Sequence, residues 1–397
     1  MTHCRNKRLT LGALCLATVL FGCEGADRAS LPDAPPFVFR SLELRQKRSN
    51  GQPDWDLTSP EARYEFSRRL VRASHPEGTL YRDGKETFRI SANRATVVND
   101  GEIVLLEGNV NLQQLQGQKV LIKGDRLRWT PAASLLVMEQ RPEAIDPMSR
   151  IKASKARLHQ LTEDLTLLGN VQLERWTEPQ GQRAGRHADV VVRSGEAEWN
   201  LADGDLQARG PVLGQRRGEG HKTLQQLHAE RLKGNTVQGL IDLIGPVRVL
   251  APDREGQLEA ATTTWDFAKD ALISPKPFNA TMKESRLQGD GFRIEMGKTT
   301  VTVLGGCQMK QPGETLNANQ CSWDWTSNRV SARGNVVLER PNNQQITRSD
   351  RLDGTVGKKG AVIFSSPGGT VQSELNIQEE QERPPGQAKR RSSPVSF

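Results

Sequence analysis

One strand-sized phrase recurs along the chain. Apolar and polar residues alternate on both sides of a glycine, and in most copies a valine follows that glycine by two positions. Alternation with a period of two places the apolar side chains on one face of a strand. A chain that repeats such a strand is expected to form a long stacked sheet with one continuous apolar lining. The predicted lining residues are Val104, Leu106, Val110, Leu112, Leu165, Leu167, Val171, Leu173, Ile241, Leu243, Val247, Val249, Val336 and Leu338.

The spacing of the glycines supports a true repeat. Gly108, Gly169, Gly210, Gly245, Gly305 and Gly334 are separated by 61, 41, 35, 60 and 29 residues. The two long intervals predict a degenerate copy in the middle of each, and residues 136–140 and 272–274 fit that position. Each unit of about thirty residues is expected to supply two or more short strands joined by polar turns.

Composition and turn residues divide the chain into segments. Residues 37–377 carry the repeats, with opening strands at 37–42 and 55–57 and one short helix predicted within 60–71. The polar stretch 214–222 is predicted to mark a waist within the repeats. Residues 23–36 are interpreted as a tether, and the proline-rich, charged stretch 378–397 is predicted to be a disordered tail.

The amino terminus has the pattern of an export signal. Arg5, Lys7 and Arg8 precede an apolar run from residue 9 to 22, which is shorter than the about 20 residues that span a bilayer. Residues 1–22 are therefore predicted to be a signal peptide. The sequence Leu-Phe-Gly-Cys that ends at Cys23 resembles the bacterial lipobox, whose cysteine becomes an acylated amino terminus and anchors the protein to a membrane. The alternatives are a secretory signal cut near residue 22 or an uncleaved anchor.

Two cysteines remain in the body of the chain. Cys307 and Cys321 occupy apolar positions of neighbouring strand phrases, so both are expected to face inward within bonding distance. A disulfide is the favoured interpretation because exported chains tolerate them. Two small buried apolar side chains are the alternative. A metal site is not expected, since no histidine lies near either cysteine in the sequence.

The sequence shows no catalytic constellation. The six histidines are scattered, and neither a Gly-x-Ser-x-Gly elbow nor a phosphate-binding loop is present. The protein is predicted not to be an enzyme, with no cofactor and no nucleic-acid partner. Glycoside cleavage by paired carboxylates is the remaining enzymatic alternative. Removal of residues 1–22 lowers the formal net charge from +8 to +5, which does not by itself identify a ligand.

A second phrase completes the repeat and carries a resemblance. An apolar-x-Ala-x-x-apolar pattern, as at Leu316, Ala318 and Cys321, precedes Gly-Asn-Val strands. This combination resembles the OstA-like periplasmic proteins of lipopolysaccharide export, of the LptA and LptC type, from about residue 37 to about residue 371. The resemblance implies an all-β fold, an elongated and open antiparallel β-jellyroll (a β-taco) whose apolar groove holds lipid acyl chains.

The resemblance also implies partners and a location. The expected ligand is lipopolysaccharide or a related glycolipid. Edge strands are expected to pair with other Lpt jellyroll proteins and the inner-membrane ABC transporter. LptC has one transmembrane helix and a single shorter jellyroll, so this chain resembles a longer, lipid-anchored variant. It is expected at the periplasmic face of a bacterial membrane, with the inner membrane favoured.

Physical arguments fit a lipid groove and leave an alternative open. Nine or ten units, each adding one rung of about 4.8 Å, predict a groove of about 45 Å. Each methylene removed from water contributes about 0.8 kcal/mol, so an apolar lining suits an acyl chain. The alternative is a dry, fully packed core in a structural or polysaccharide-binding β-solenoid lipoprotein. Outward stacking of Trp129, Trp265 and Trp323 would favour that alternative.

Overall fold

The computed structural model describes residues 37–178, 187–218, 222–355 and 360–375. The predicted signal peptide, Cys23, the tether and the tail lie outside the described residues. Within the described residues the chain folds into β-strands and short 3-10 turns, without an α-helix. The 3-10 turns are Phe66–Arg68, Asn99–Gly101, Pro131–Ala133, Pro252–Arg254 and Pro341–Asn343.

Thirty strands lie in the described part of the chain. They are β1 (Phe37–Lys47), β2 (Pro53–Glu65), β3 (Leu70–Ser74), β4 (Glu77–Arg82), β5 (Lys85–Ser91), β6 (Arg94–Val98), β7 (Ile103–Gln114), β8 (Leu121–Thr130), β9 (Leu135–Gln140), β10 (Glu143–Ile145), β11 (Ser149–Lys152), β12 (Lys155–His159), β13 (Asp164–Arg175), β14 (Val190–Asn200) and β15 (Asp205–Arg217). The others are β16 (Thr223–Asn235), β17 (Leu240–Ala251), β18 (Gly256–Asp266), β19 (Ala271–Ser274), β20 (Phe278–Met282), β21 (Ser285–Gly289), β22 (Gly291–Glu295), β23 (Thr300–Gly305), β24 (Cys307–Gln311), β25 (Glu314–Ala318), β26 (Gln320–Asp324), β27 (Arg329–Arg340), β28 (Gln345–Thr355), β29 (Val362–Ser365) and β30 (Gln372–Leu375).

All pairings in this sheet are antiparallel, which confirms the predicted elongated all-β architecture. A long strand such as β7 pairs on one side with two short strands laid end to end, β6 along its first half and β5 along its second. On its other side β7 pairs with the whole of β8. We call one long strand, or one end-to-end pair, a rung. Each rung has two halves, as β7 does. The halves that stack in line with β6 form the first wall, and the halves that stack in line with β5 form the second wall.

The stack of rungs is longer than the sequence predicts. Twelve long strands and nine end-to-end pairs make twenty-one rungs in the described residues. At about 4.8 Å per rung the stack extends about 95 Å. The estimate of nine or ten rungs and 45 Å is therefore wrong. Each unit of about thirty residues supplies two rungs, because the Gly-containing phrase and the Ala-containing phrase each form one.

The helix predicted within residues 60–71 is also wrong. This segment contains the end of β2, the turn Phe66–Arg68 and the start of β3. The second half of β2 pairs with β1 on one side and β3 on the other, so its backbone groups are satisfied in the sheet. Ala62 faces the core, and Arg69 has φ 47°, which ends the turn and reverses the chain. Strand pairing therefore overrides the local helical preference of the sequence.

The repeated glycine is the corner between the two walls. In β7, Gly108 has φ 76° and Asn109 has φ 48°, and the register shifts between Glu107 and Val110. The N–H of Asn93, at the corner of the preceding rung, donates to the carbonyl of Gly108 at 2.8 Å. Two consecutive residues with positive φ bend a strand, and glycine and asparagine tolerate that conformation best. Gly169-Asn170 and Gly334-Asn335 repeat this geometry.

We expect Gly108→Ala to lower the free energy of unfolding by about 1–2 kcal/mol, because an L side chain is strained at this φ. An added Cβ would also lie 2.8 Å from the Asn93 side chain. Gly297→Ala is the control, since a Cβ there meets nothing within 4 Å. Urea denaturation followed by circular dichroism measures both variants. Equal effects of the two substitutions would contradict the corner role of Gly108.

Buried apolar side chains form two large clusters inside the stack. The amino-terminal core extends from Trp55 to Val247, and the carboxy-terminal core from Leu258 to Leu352. The sheet is continuous across the division, because β17 pairs with β18 along most of their length. Val249 packs against both cores. The division therefore falls at β17 and β18, whereas the stretch 214–222, partly outside the described residues, begins in the last residues of β15 and leads to β16.

Candidate functional site

The two walls face each other and enclose the apolar side chains. All of the predicted lining residues point into this interior. Twelve of them are buried, whereas Leu173 and Val249 are half-buried. The chain turns at the free ends of the walls form two lips, and the gap between the lips is the mouth of the fold. Access to the interior therefore depends on whether the lips touch.

The amino-terminal core is tightly packed. Leu80, Phe88, Leu106 and Trp129 each have 0% of their surface exposed. The ring of Trp129 on the first wall meets that of Trp55 on the second wall edge to face, with centroids 5.2 Å apart. Side chains packed at this density leave no space for a ligand around Trp55 and Trp129.

A buried carboxylate bridges the two lips of this half. Glu163, in a first-wall turn, has a side chain that is only 5% exposed. The Nη2 of Arg82 lies 2.7 Å from one of its oxygens, and the Nε2 of Gln114 donates to the other at 2.6 Å. Gln114 also donates to the carbonyl of Leu201 at 3.0 Å. Arg82 and Gln114 belong to the second wall, so these bonds cross the mouth.

Further polar contacts extend this bridge. The hydroxyl of Thr236 donates to Gln118 at 3.1 Å, and Arg216 pairs with Asp270 at 2.8 Å. The partners are distant in sequence because the twist of the walls sets each second-wall turn opposite a later first-wall turn. We call the whole set the seam. It consists of Arg82, Gln114, Gln118 and Arg216 on the second wall and Leu161, Glu163, Leu201, Thr236 and Asp270 on the first.

Two further side chains near the seam have shifted pKa values. Tyr81 donates its hydroxyl to Asp56 at 2.7 Å, and this hydrogen bond, together with burial, raises the pKa of Tyr81 to about 12. The guanidinium of Arg175 lies 4.7 Å from the ring centroid of Phe267, across the mouth. Burial lowers the pKa of Arg175 from its ordinary value. A cation held over an aromatic ring contributes to closure.

We expect Glu163→Ala to lower the free energy of unfolding by about 1–3 kcal/mol, because Arg82 and Gln114 lose their acceptor in a largely buried place. Faster hydrogen exchange in the turns around Gln118 and Leu201 should accompany this loss. Glu61→Ala is the control, because Glu61 pairs with Arg63 on the exposed surface. Exposed pairs contribute little. Unchanged exchange in both turns would contradict the bridging role of Glu163.

The interior becomes accessible beyond the seam. A cavity of about 120 Å³ opens in the carboxy-terminal half between the two walls. From residue 271 onward, the described lips share no hydrogen bond or ion pair. We call this space the open cavity. Its apolar lining includes Val249, Leu258, Leu272, Ala280, Met282, Leu287, Ile294, Met296, Val301, Trp323 and Trp325.

The open cavity continues toward the amino-terminal half as narrower spaces. A space of about 40 Å³ is lined by Leu227, Val249 and Met296 among others, and another of the same size is lined by Leu173, Ile241 and Leu243. Each of these spaces has about a third of the volume of the open cavity. Of the predicted lining residues, Val249 lines the open cavity and Leu173, Ile241 and Leu243 line its extension.

Sequence reasoning missed several other residues of the open cavity. Met282, Ile294, Met296 and Trp325 are half-buried and lie in or next to strands that lack the glycine phrase. The signal that locates them is the period of two, since Ile294 and Met296 continue the inward alternation of β22 to the lip.

A disulfide joins the walls at the corner side of this half. Cys307 in β24 and Cys321 in β26 are bonded, with Cα atoms 5.9 Å apart. β24 belongs to the second wall and β26 to the first. Trp323, which lines the open cavity, lies two residues after Cys321 on the same inward face. The bond therefore links the walls on the side opposite the mouth.

The tryptophans lie on the inside of the stack. Trp129 and Trp323 are buried and Trp265 is half-buried. Trp199 occupies a similar buried place on the first wall and was not identified from the sequence. None of the seven tryptophans is exposed, so the outward aromatic array that would favour polysaccharide binding is not found.

The described residues contain neither a metal-binding cluster nor a membrane-spanning helix. Within 37–178, 187–218, 222–355 and 360–375, no set of three or more His, Cys, Asp or Glu side chains is arranged to bind a metal ion. The same residues contain no helix with the length and apolar character needed to cross a membrane.

Comparison with known families agrees with the all-β stack. Residues 9–173 match the family model LptC, described as lipopolysaccharide-assembly, LptC-related. The match covers less than half of the chain and ends near the last residue of β13. No curated protein matches the chain. Over residues 9–173 the chain is therefore similar to the LptC-related family of lipopolysaccharide assembly.

Proposed function

We propose that the protein is a periplasmic component of lipopolysaccharide transport that holds lipid acyl chains in its apolar interior. The observation that carries this proposal is the open cavity, whose walls are apolar and whose mouth is not bridged. The match to the LptC-related family supports the transport role. The proposed action is that of a carrier, in which no bond of the lipid is made or broken.

The apolar lining of the open cavity suits a lipid acyl chain that binds reversibly and slides along the cavity. Inward Val, Leu and Ile side chains offer no hydrogen bonds, so they do not fix a hydrocarbon at one point. Each methylene that leaves water contributes about 0.8 kcal/mol, which holds the chain inside the protein. Met282 and Met296 lie near the lips, and methionine side chains are flexible enough to admit a chain.

Unpaired edges support the proposed partners. β1 pairs only with β2, and β29 and β30 pair only with β28, among the described residues. Phe37, Val38 and Phe39 on β1 are exposed. Free strand edges recruit partner strands, so we propose that other jellyroll proteins of the transport machinery and the inner-membrane transporter bind there. A photo-crosslinker at Val38 should give a protein–protein adduct in cells, and a monomer band alone would contradict this proposal.

Membrane attachment through acylated Cys23 is part of the same proposal. It rests on the sequence, because Cys23 lies outside the described residues. Labelled fatty acid should be incorporated into the full chain and not into the Cys23→Ala variant. Equal labelling of both would exclude this anchor.

The main test introduces a charge into the open cavity. Met296→Glu places a carboxylate where an acyl chain would lie, and burial of an unpaired charge is costly. Lipopolysaccharide that copurifies from a producing host should fall about tenfold. Gln288→Glu is the matched control, because Gln288 is exposed on the outer face of β21. Equal lipid in Met296→Glu, Gln288→Glu and the parent protein would overturn the proposed function.

A further inference from the structure

We infer that acyl chains bind in the carboxy-terminal half alone, in the open cavity between β18 and β26, with the anionic head of the lipid at Arg254. The amino-terminal half then acts as a closed spacer, although it is the part that matches the LptC-related family. This inference rests on the proposed function and names the part of the chain that performs it. The expected ligand is an acylated amphiphile with a phosphate or carboxylate head.

Closure of the amino-terminal half is the first argument. Most of its interior side chains are buried, and its lips are joined by the seam from Arg82 to Asp270. An acyl chain would have to break several of these bonds and separate Trp55 from Trp129. Removal of the acceptors would leave buried polar groups unsatisfied, and each such group is costly.

The open, apolar mouth of the carboxy-terminal half is the second argument. After Asp270, no hydrogen bond or ion pair joins the described lips across the mouth. A lipid acyl chain can therefore enter without breaking such a bond. Met282, Ile294, Met296 and Trp325 are half-buried and apolar at this mouth. Exposed apolar surface of this kind is covered when a hydrophobic ligand binds. The disulfide between Cys307 and Cys321 secures the opposite side, so the lips can separate while the corner stays joined.

Charge at the rim is the third argument. Among the described residues, Arg254 is the one charged side chain that lines the open cavity. It is exposed, and no described carboxylate forms an ion pair with it. Glu255 and Asp253 lie in the same turn, and Asp253 pairs with Lys222. An arginine beside an apolar cavity suits a phosphate or carboxylate joined to acyl chains.

Photo-crosslinking of the full chain in a lipopolysaccharide-producing host tests the inference. The photoreactive residue replaces Met282 or Met296 in the open cavity, and Leu106 or Val71 in the amino-terminal half. Val71 is half-buried beside the amino-terminal core. It tests the same half at a position where a bulky residue disturbs folding less than at the fully buried Leu106. Gln288 serves as the outward control. Lipid adducts at Met282 and Met296 alone are the expected result.

The other outcomes separate the two proposals. Lipid adducts in both halves would overturn the inference that acyl chains bind in the carboxy-terminal half alone, and would leave the proposed function intact. An absence of adducts at all positions would overturn both. Arg254→Glu should lower the adduct at Met282 severalfold, whereas Arg286→Glu, on an exposed outward residue of β21, should not. Equal adducts in these two variants would overturn the role of Arg254.

Discussion

Trp129→Ala is expected to lower the free energy of the transition that unfolds the amino-terminal core by about 3–5 kcal/mol. Trp129 has 0% of its surface exposed and is among the largest buried side chains. It packs against Trp55 across the interior, so its loss leaves a cavity between the walls. The walls cannot collapse easily to fill that space because the seam fixes their separation. Urea denaturation of the purified chain, followed by tryptophan fluorescence and circular dichroism, measures the effect.

Trp325→Ala is the matched control for this substitution. Trp325 is half-buried and lines the open cavity, so its ring is less enclosed than that of Trp129. The stability should therefore fall by much less than in Trp129→Ala, while the amount of bound lipid falls. An equal loss of stability in the two variants would contradict a packed amino-terminal half and an open carboxy-terminal half.

Removal of the disulfide is expected to have the second largest effect. Cys307 and Cys321 are separated by 14 residues, and closing a loop of about 15 residues stabilises a fold by about 3 kcal/mol. Cys307→Ala/Cys321→Ala should lower the free energy of the transition that unfolds the carboxy-terminal core by a similar amount. The transition of the amino-terminal core should not change, since the two cores are separate clusters.

A reducing agent supplies the control for the disulfide. Dithiothreitol should shift the carboxy-terminal transition of the parent protein toward that of the double variant and leave the double variant unchanged. A parent protein whose stability does not respond to reduction, with the free thiols shown by alkylation, would contradict a stabilising role for this bond.

The repeat phrase determines much of the fold. Alternation around Gly108, Gly169 and Gly334 correctly indicates which side chains face inward and where each strand bends. The degenerate copies at 136–140 and 272–274 also correspond to strands, β9 and β19. These features depend on local rules, a period of two and the left-handed conformation that glycine accepts, so the sequence reveals them.

Other features depend on contacts between distant residues. The seam joins Gln118 to Thr236, which are 118 positions apart, and neither residue belongs to a motif. The helix predicted within residues 60–71 fails because pairing with β1 and β3 decides the structure there. The open cavity is equally hidden, since Leu112 in the amino-terminal core and Val249 in the open cavity occupy the same position of their glycine phrases. Only the closure of the lips distinguishes their surroundings.

Methionine oxidation provides the most direct measurement of lipid in the open cavity. Met282 and Met296 are half-buried at the mouth, whereas Met138 and Met309 are buried and serve as internal controls. Exposure governs oxidation by dilute peroxide, so Met282 and Met296 should oxidise first in the lipid-free full chain. Added lipopolysaccharide should slow oxidation of Met282 and Met296 severalfold and leave Met138 and Met309 unchanged. Oxidation of Met282 and Met296 at the same rate with and without saturating lipopolysaccharide would contradict lipid binding in this cavity.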